Sequence, residues 1–382
     1  MIDYLIIGAG MAGASLAYRI GHRARVLVVE MESHPGYHSS GRSAAMFMET
    51  YGTATIRALT RASRAFYESP PPGFAEHPLL NDRGVLYLVR DDQVELKRQT
   101  LQQLRSTGAD IREISAQEVA DRVPCVRTDR LHGAIEEVDA KDLDVHALLQ
   151  GFLRGARQAG VEFAFGVKVV GAEWQGDYWA ISLSDGRRVQ AAAVANAAGA
   201  WAQQVAQQFG ASHVGLQPKR RTAFTFKAID AQTNEPISPE VFEKWPAVVG
   251  IDESYYFKPD AGQLLGSPAN ADPVDPHDVV AEELDVALGI HQITAATTLD
   301  IRRPTHTWAG LRSFVADGDF VIGWDPQAEG FFWVAAQGGY GIQSAAGASL
   351  LAANLLLSDP LDASLQLENV DPAIVSPSRF RR

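Results

Sequence analysis

The apolar and glycine-rich segments at the start of the chain predict a strand, a tight turn, a helix and a second strand. Residues 4–7 are typical of a buried strand, which runs into a glycine-rich turn over residues 8–13. An apolar helix follows, with Ala14, Leu16 and Ile20 at helical spacing, and the next apolar strand, residues 26–29, ends at Glu30. A Gly-x-Gly-x-x-Gly turn in this context is the fingerprint of a dinucleotide-binding unit.

Each position of the fingerprint has a physical role. Gly8 lets the chain turn tightly, Gly10 lets a pyrophosphate approach the backbone, and Gly13 lets the helix pack closely on the strand. Exposed N–H groups at the start of the helix, around Met11 and Ala12, can receive the phosphate charge. Glu30 can accept hydrogen bonds from ribose hydroxyls.

The remaining pattern interleaves α/β segments with β-rich ones. We predict helices over 145–158, 200–209, 279–294 and 342–356, and strands over 161–165, 193–199, 221–226, 254–258 and 331–334. Asp185-Gly186 signals a hairpin for strands 167–170 and 179–183. This interleaving predicts a discontinuous nucleotide-binding domain of residues 1–84, 143–209 and 311–382, and a substrate domain of residues 85–142 and 210–310.

Three further segments are candidates for cofactor contacts. Residues 36–45 are rich in small and hydroxyl side chains and predict a short helix whose N-terminus faces a phosphate. Two later strand–glycine–helix turns favour FAD over NAD, because a bulky flavin needs several close backbone approaches. Glycines that serve only turns and packing remain the alternative for each segment alone. The candidate residues are Gly41, Arg42, Ser43, Ala44, Ala198, Gly199, Trp201, Gly338, Gly339, Tyr340, Gly341 and Ile342.

Composition narrows the class of protein. The chain has 382 residues and a net charge of −12, which argues against nucleic acid as a partner and gives no electrostatic reason to bind an anionic membrane. The only cysteine, Cys125, excludes a disulfide framework, and no histidine has the spacing of a metal ligand. We see no transmembrane segment, and with the first strand at the N-terminus we expect no signal peptide. These features favour a cytoplasmic location, with peripheral attachment to the inner membrane left open.

Longer motifs show a resemblance to a known family. Residues 35–45, 216–221, 266–273, 306–319 and 333–343 resemble the FAD-dependent oxidoreductases of the D-amino-acid oxidase, glycine oxidase and sarcosine oxidase type, over nearly the whole chain. Within that family the chain looks closest to the bacterial D-arginine dehydrogenases. The resemblance implies an α/β fold, with a Rossmann-like FAD domain of the glutathione-reductase type and an α+β substrate domain containing a large mixed or antiparallel sheet. It also implies a non-covalent FAD, since Cys125 is far from Arg312 in sequence.

Two arginines are candidates for holding a substrate carboxylate, because a guanidinium fork pairs with both carboxylate oxygens. Arg221 lies beside small residues in a predicted strand, and Arg312 lies in an apolar stretch where an unpaired charge is costly. From the residues alone, a structural ion pair is an equal alternative for each. The resemblance matches both to the family's carboxylate-binding arginines, Tyr51 and Tyr256 to its substrate-contacting tyrosines, and Gly339 to the carbonyl that receives the substrate amine.

The residues that match the family's side-chain pocket differ from those of the D-arginine dehydrogenases. A glutamate that faces the substrate guanidinium in the arginine enzymes is matched by Val85, and a histidine and a threonine are matched by Met46 and Met48. Burying a cation there without a partner is costly, so we expect neutral or hydrophobic D-amino acids to be preferred over D-arginine. Glu49 could restore a charge if a local shift aimed it inward.

The implied reaction is oxidative deamination, in which hydride leaves Cα for the flavin N5 and water hydrolyses the imino acid to a 2-oxo acid and ammonia. Oxygen and quinone both remain open as the electron acceptor. N-methyl amino acids, 2-hydroxy acids and D-arginine remain alternative substrates, because the same arginine pair would hold each carboxylate. A nucleotide-binding module without redox activity and an NAD-dependent dehydrogenase also remain alternatives.

Overall fold

The computed structural model describes residues 1–381 and contains three β-sheets with helices packed against them. Short 3-10 turns cover Ser40–Arg42, Asp91–Gln93, Gly199–Trp201 and Pro377–Phe380. The helices are α1 (Met11–Ile20), α2 (Ala54–Glu68), α3 (Val94–Arg105), α4 (Ala116–Arg122), α5 (Val145–Gln158), α6 (Ala202–Gln208), α7 (Pro239–Phe242), α8 (Glu283–Ala296), α9 (Ala345–Leu356), α10 (Ala363–Leu367) and α11 (Pro372–Val375).

The first sheet has eight strands and a parallel centre. Its strands are β1 (Ile2–Ile7), β2 (Val26–Glu30), β9 (Glu162–Phe165), β10 (Val169–Trp174), β11 (Trp179–Leu183), β12 (Arg188–Asn196), β19 (Val321–Trp324) and β20 (Phe331–Ala335). The order is β10-β11-β12-β1-β2-β9, with β20 pairing the second half of β12 and β19 pairing β20. The parallel strands β9, β2, β1, β12 and β20 lie side by side, so their carboxyl ends form one edge, where nucleotides bind in such folds.

The second sheet is mixed and has nine strands: β5 (Val85–Arg90), β6 (Ile111–Ser115), β7 (Leu131–Glu137), β13 (Gln217–Phe226), β14 (Ala247–Gly250), β15 (Tyr256–Asp260), β16 (Gln263–Ser267), β17 (Asp272–Pro273) and β18 (His306–Phe314). Its order is β17-β13-β16-β15-β14-β5-β7-β6, and β18 pairs with the other edge of β13. A small third sheet joins β3 (Met46–Phe47), β8 (Lys141–Leu143) and β4 (Leu80–Asp82). The predicted α/β fold class with a large mixed sheet is confirmed.

The opening unit folds as its glycines require. Gly8 has φ +105°, and a Cβ there would lie 2.5 Å from the carbonyl oxygen of Ala197. A Cβ on Gly13 would lie 1.9 Å from the carbonyl oxygen of Gly8, so only glycine lets α1 pack this closely on β1. The Gly8 amide donates to Val29, 2.8 Å away, which aligns the turn with the end of β2.

Three local predictions were wrong, and a fourth is met only in part. The turn at Asp185-Gly186 joins β11 to β12, because the Gly186 amide bonds back to Leu183; β10 and β11 are joined by residues 175–178. The last long helix, α9, begins at Ala345 and not at residue 342, since residues 339–344 form turns. Helix α8 begins at Glu283 and not at residue 279. In the segment 36–45 the structure has only the single 3-10 turn Ser40–Arg42.

The division into two domains stays a prediction. All strands of the first sheet fall within residues 1–84, 143–209 and 311–382, and most of the second sheet falls within the other ranges. The predicted boundary between residues 310 and 311 lies inside β18, which continues without a break. Within residues 1–381, no helix is both long enough and apolar enough to cross a membrane.

Candidate active site

A cavity of about 380 Å³ lies at the carboxyl ends of the parallel strands. Residues at the end of β2, after β9, at the start of α1 and at the end of β20 line it. Its lining combines the glycine-rich turn with residues from six other segments: Gly8, Gly10, Met11, Ala12, Glu30, Ser39, Ser40, Val167, Lys168, Val169, Ala198, Gly199, Trp201, Leu311, Ser313, Gln337 and Gly338, among others.

Polar groups at the start of α1 organise one wall of this cavity. The buried Glu30 carboxylate accepts hydrogen bonds from the backbone amides of Ala9, at 2.7 Å, and Glu32, at 3.0 Å. The Met11 amide donates to the hydroxyl of Ser40 at 2.9 Å. Because Gly10 caps α1 and has no side chain, the positive end of the helix dipole lies at the cavity wall, where it favours an anion.

A second, smaller cavity of about 100 Å³ shares Met11, Ser40, Leu311 and Gly338 with the first. Strands β13 and β18 supply its far wall. Arg221 pairs with Gly310 and Lys219 pairs with Arg312 in the ladder, so both arginines lie on one face of the sheet. The absence of a side chain at Gly310, opposite Arg221, leaves space on this face.

The two guanidinium groups form a positively charged pocket without an acidic counter-ion. Arg221 donates through Nε to the carbonyl of Asn270, and no carboxylate of residues 1–381 forms an ion pair with either guanidinium. Burial and the positive charge of Arg312 lower the pKa of Arg221. Burial also acts to lower the pKa of Arg312, but the neighbouring phenols of Tyr51, Tyr256 and Tyr340 outweigh it and raise that pKa.

The remaining candidate contacts surround Arg312. A Cβ on Gly339 would lie 3.0 Å from Nη1 of Arg312, so the glycine lets the backbone reach the guanidinium. Tyr256 lines the small cavity, whereas Tyr51 packs edge-on against Tyr340 with ring centroids 4.7 Å apart. An anion between the arginines would therefore meet donors from β13, β15, β18 and the segment before α2.

The predicted side-chain residues form one apolar cluster. Val85 is fully buried, and Met46 and Met48 pack against it together with Tyr87 and Val249. Among the described residues, none of the three predicted positions lines either cavity. Glu49 faces Arg64 instead, whose Nε donates to it at 2.7 Å.

Residues 3–355 match the family model described as FAD dependent oxidoreductase. The chain belongs to this family. FAD is therefore the cofactor, which resolves the choice that the opening fingerprint left between FAD and NAD. The finer resemblance to D-arginine dehydrogenases stays a prediction.

Relatives of this FAD-dependent oxidoreductase differ in their substrates. Hydrogen cyanide synthase subunit HcnC from Pseudomonas aeruginosa is 23% identical over 374 residues, covering 86% of each chain. Glycine oxidase from Geobacillus kaustophilus superposes with a TM-score of 0.83 at 20% identity, covering 100% of this chain and 99% of the other. L-amino acid deaminase from Proteus vulgaris gives a TM-score of 0.80 at 16% identity, covering 100% and 97%. At such identities the structural likeness shows the fold.

The residues of this FAD-dependent oxidoreductase fit the cofactor. A Cβ on Gly10 would approach only the Ser40 hydroxyl, at 3.3 Å, so the space above this turn is open to a pyrophosphate. Glu30 lines the large cavity, where a ribose would bind. Gly338 lines both this cavity and the small cavity of the arginines, so the flavin ring would lie on that side.

Several predicted cofactor residues have other roles in the structure. Gly13 and Gly41 line neither cavity in the described chain; the Gly41 amide closes a turn on the carbonyl of Gly36. Arg42 lines the small cavity, but its guanidinium is bound by Asp278 and by the carbonyls of Val279 and Ala309. Tyr340 packs on Tyr51 and contributes to the surroundings of Arg312.

Sequence reasoning missed several contributors to the large cavity, among them Val167, Val169, Ser40 and His38. Val167 and Val169 follow β9, the neighbour of β2, and Ser40 reaches the start of α1 from a separate segment. His38 also lines the cavity, with its ring 4.4 Å from that of Trp201 and its Nε2 2.9 Å from Glu32. The position of Val167 and Val169 at the carboxyl end of a predicted parallel strand was the available signal.

Proposed function

We propose that this chain catalyses FAD-dependent oxidative deamination of D-amino acids with neutral or hydrophobic side chains, giving a 2-oxo acid and ammonia. The observation that carries this proposal is the pair Arg221 and Arg312, which are partly buried in the small cavity and have no acidic partner among residues 1–381. Two partly buried guanidiniums that repel each other favour an anionic ligand between them. A carboxylate offers two oxygens in the geometry that such forks recognise.

The chain's own residues orient the substrate and exclude water. Arg221, Arg312 and Tyr256 would hold the carboxylate, and the backbone of Gly339 would receive the amine beside them. Tyr51 and Tyr340 would close the pocket with their packed rings. When bound, FAD supplies the two-electron acceptor for the Cα–H bond. Holding the carboxylate, the amine and the side chain orients the Cα–H bond, and such orientation contributes much of the rate enhancement in a reaction of this kind.

The preference for uncharged side chains rests on the apolar cluster of Val85, Met46 and Met48. Val85 is fully buried, and Glu49, the acid considered above as a source of charge, is bound to Arg64. A cationic side chain directed at this cluster would lose its hydration without gaining an ion pair from Glu49.

Anaerobic reduction of the bound flavin by a panel of acids tests the proposal. We expect D-leucine, D-methionine and D-phenylalanine to bleach the flavin faster than D-arginine, and their L-enantiomers not to reduce it. Faster reduction by D-arginine would overturn the side-chain preference. Reduction only by L-amino acids, N-methyl amino acids or 2-hydroxy acids would overturn the D-amino-acid assignment. Admitting air to the reduced protein, and separately a soluble quinone, then identifies the electron acceptor.

A further inference from the structure

A buried carboxyl group beside the apolar cluster has no role in the chemistry described above. Glu137, the last residue of β7, has 2% of its surface exposed. In the ladder it pairs directly with Val85, so both side chains lie on one face, with Cβ atoms about 5 Å apart. The carboxyl group therefore lies one strand away from Val85, toward which the proposed function directs the substrate side chain.

The partners of Glu137 are hydroxyl groups. Thr50 donates to Oε2 at 2.6 Å, and the Tyr87 hydroxyl lies 3.5 Å from the same oxygen. Within residues 1–381 no arginine, lysine or histidine forms an ion pair with it, although the preceding residue, Glu136, pairs with Arg122 on the other face. Burying an ionised carboxylate without a cation costs free energy, so Glu137 is either neutral or is paired by a cationic group of a ligand.

Thr50 connects this group to the substrate site. It precedes Tyr51, which lies beside Arg312, and it follows the apolar residue Met48 by two positions. The Glu137 carboxyl is thus enclosed by the segment that carries both the side-chain cluster and a candidate carboxylate contact.

We propose that Glu137 determines how the enzyme responds to the charge of the substrate side chain, accepting apolar side chains when it is neutral and cationic ones when it is ionised. This inference rests on the proposed function, because it assumes that the side chain of an amino acid reaches the cluster around Val85. It makes Glu137 a specificity residue beside the apolar cluster, where Glu49 is already paired with Arg64.

The surroundings place the change of charge near neutral pH. Burial, reinforced by the negative charge of Glu49, raises the pKa of Glu137 to about 7, against the opposing effect of the Thr50 and Tyr87 hydroxyls. Ile111 on β6 is its other ladder partner and carries no charge. Tyr87 stays protonated because burial and Glu137 raise its pKa well above the ordinary value.

The matched substrates D-norleucine and D-lysine test the proposal, because they differ mainly by the terminal ammonium group. Their kcat/KM values are compared with dye as acceptor at pH 6 and pH 8. We expect the ratio of D-lysine to D-norleucine to rise about fivefold to tenfold over this range in the wild type. Ionisation of the α-amine is common to both substrates, so it cancels in the ratio.

Glu137→Gln keeps the shape and removes the titration. In this variant the ratio of kcat/KM for D-lysine to that for D-norleucine is expected to be independent of pH. It is expected to remain at the low value that the wild type has at pH 6. Glu136→Gln, which removes the neighbouring carboxylate on the opposite face, is the matched control and is expected to keep the pH-dependent ratio. Glu137→Met serves as a second variant, and FAD content is measured for all of them.

The outcomes separate the two proposals. If neither D-amino acid is oxidised, the proposed function fails. If both are oxidised but the wild-type ratio does not change between pH 6 and pH 8, or if Glu137→Gln retains the change, the role of Glu137 is overturned. If the variant proteins do not accumulate, the pH dependence of the wild-type ratio alone tests the role of Glu137.

Discussion

Two consecutive arginines of β13 face different surroundings. Arg220 lies on the face away from the site, where Asp272, Asp285 and Glu282 surround it. Arg221 lies on the site face, without a carboxylate partner in the described chain and beside a second positive charge. A single strand therefore carries one arginine that stabilises the fold and one whose charge is unfavourable until an anion binds.

Arg221→Met is expected to separate catalysis from stability. Removing one of two like charges leaves the melting temperature of the substrate-free protein unchanged or higher, because the repulsion with Arg312 disappears. The same change is expected to lower kcat/KM for the preferred D-amino acid by roughly a hundredfold to a thousandfold, since one carboxylate contact is lost. Calorimetry and steady-state kinetics with dye as acceptor measure the two effects.

Arg220→Met is the control for Arg221→Met. It leaves the partly buried Asp285 without its cation, so we expect a loss of about 1–2 kcal/mol of stability while kcat/KM stays within a few-fold. A strong loss of stability in Arg221→Met, equal to that in Arg220→Met, would mean that Arg221 is a structural ion-pair residue.

The raised pKa of Glu137 also predicts how the free energy of unfolding depends on pH. Its pKa in the folded protein, about 7, is raised above the ordinary value of 4.5, so the folded state binds the proton more tightly than the unfolded state. This contribution to stability is complete below about pH 4.5 and is lost as the pH rises through 7. At pH 8, Glu137→Gln is therefore expected to be more stable than the wild type, by on the order of 2–3 kcal/mol. Urea unfolding at pH 5 and pH 8 measures the difference, and equal gains at both values would contradict it.

At the scale of elements, the strand–turn–helix unit of β1 and α1 contains glycines with separable roles. A Cβ on Gly13 would collide with the Gly8 carbonyl, so Gly13→Ala is expected to cost about 3 kcal/mol or more, or to prevent folding. A Cβ on Gly10 meets only the Ser40 hydroxyl, at 3.3 Å. Gly10→Ala is therefore expected to change the stability of the FAD-free protein by less than about 1 kcal/mol while weakening FAD binding at least about tenfold. Flavin fluorescence titration of both FAD-free proteins measures the affinities, and unchanged FAD affinity in Gly10→Ala would remove the turn from the cofactor site.

Elements also show what the sequence could predict. The unit of β1, α1 and β2 was predictable because its signal is local: apolar runs, glycines at fixed spacing and Glu30 at the end of the next strand. The start of α9 was predicted too early, because the glycines at 338–341 are used in turns before the helix. Such turns depend on Phe314 and Arg312, which pack against Gly338 and Gly339 from a distant strand.

The site itself depends on register between distant strands. Arg221 and Arg312 share a face only because β13 and β18 pair with Lys219 opposite Arg312. From the sequence alone each was equally compatible with a structural ion pair, and only the family resemblance distinguished them. Glu137 carried no local signal, because its burial follows from the pairing of β7 with β5 and β6.

At the scale of the whole molecule, the cofactor cavity and the arginine pocket share one strand. In β18, Leu311 and Ser313 line the large cavity while Arg312, between them, lines the small one. Hydrogen bonds fasten this strand to the cofactor side: Ser39 donates to the carbonyl of Leu311 at 2.6 Å, and the Gly338 amide donates to that of Ser313 at 2.9 Å. FAD binding and the position of the carboxylate-binding arginine should therefore be coupled.

Removal of FAD tests this coupling. By mass action the holoenzyme gains about 2.7 kcal/mol at free FAD a hundredfold above its dissociation constant. We expect hydrogen exchange to accelerate on FAD removal at residues 337–341, and around Leu311 and Ser313, because these backbone groups border the vacated cavity. Strands β6 and β7, which line neither cavity in the described chain, are expected to keep their protection.

Binding of a carboxylate inhibitor such as benzoate should weaken in the FAD-free protein by about tenfold or more, since Arg312 would lose its fixed position. Equal benzoate affinity with and without FAD, together with unchanged exchange in β18, would show that the arginine pocket is formed by the second sheet alone.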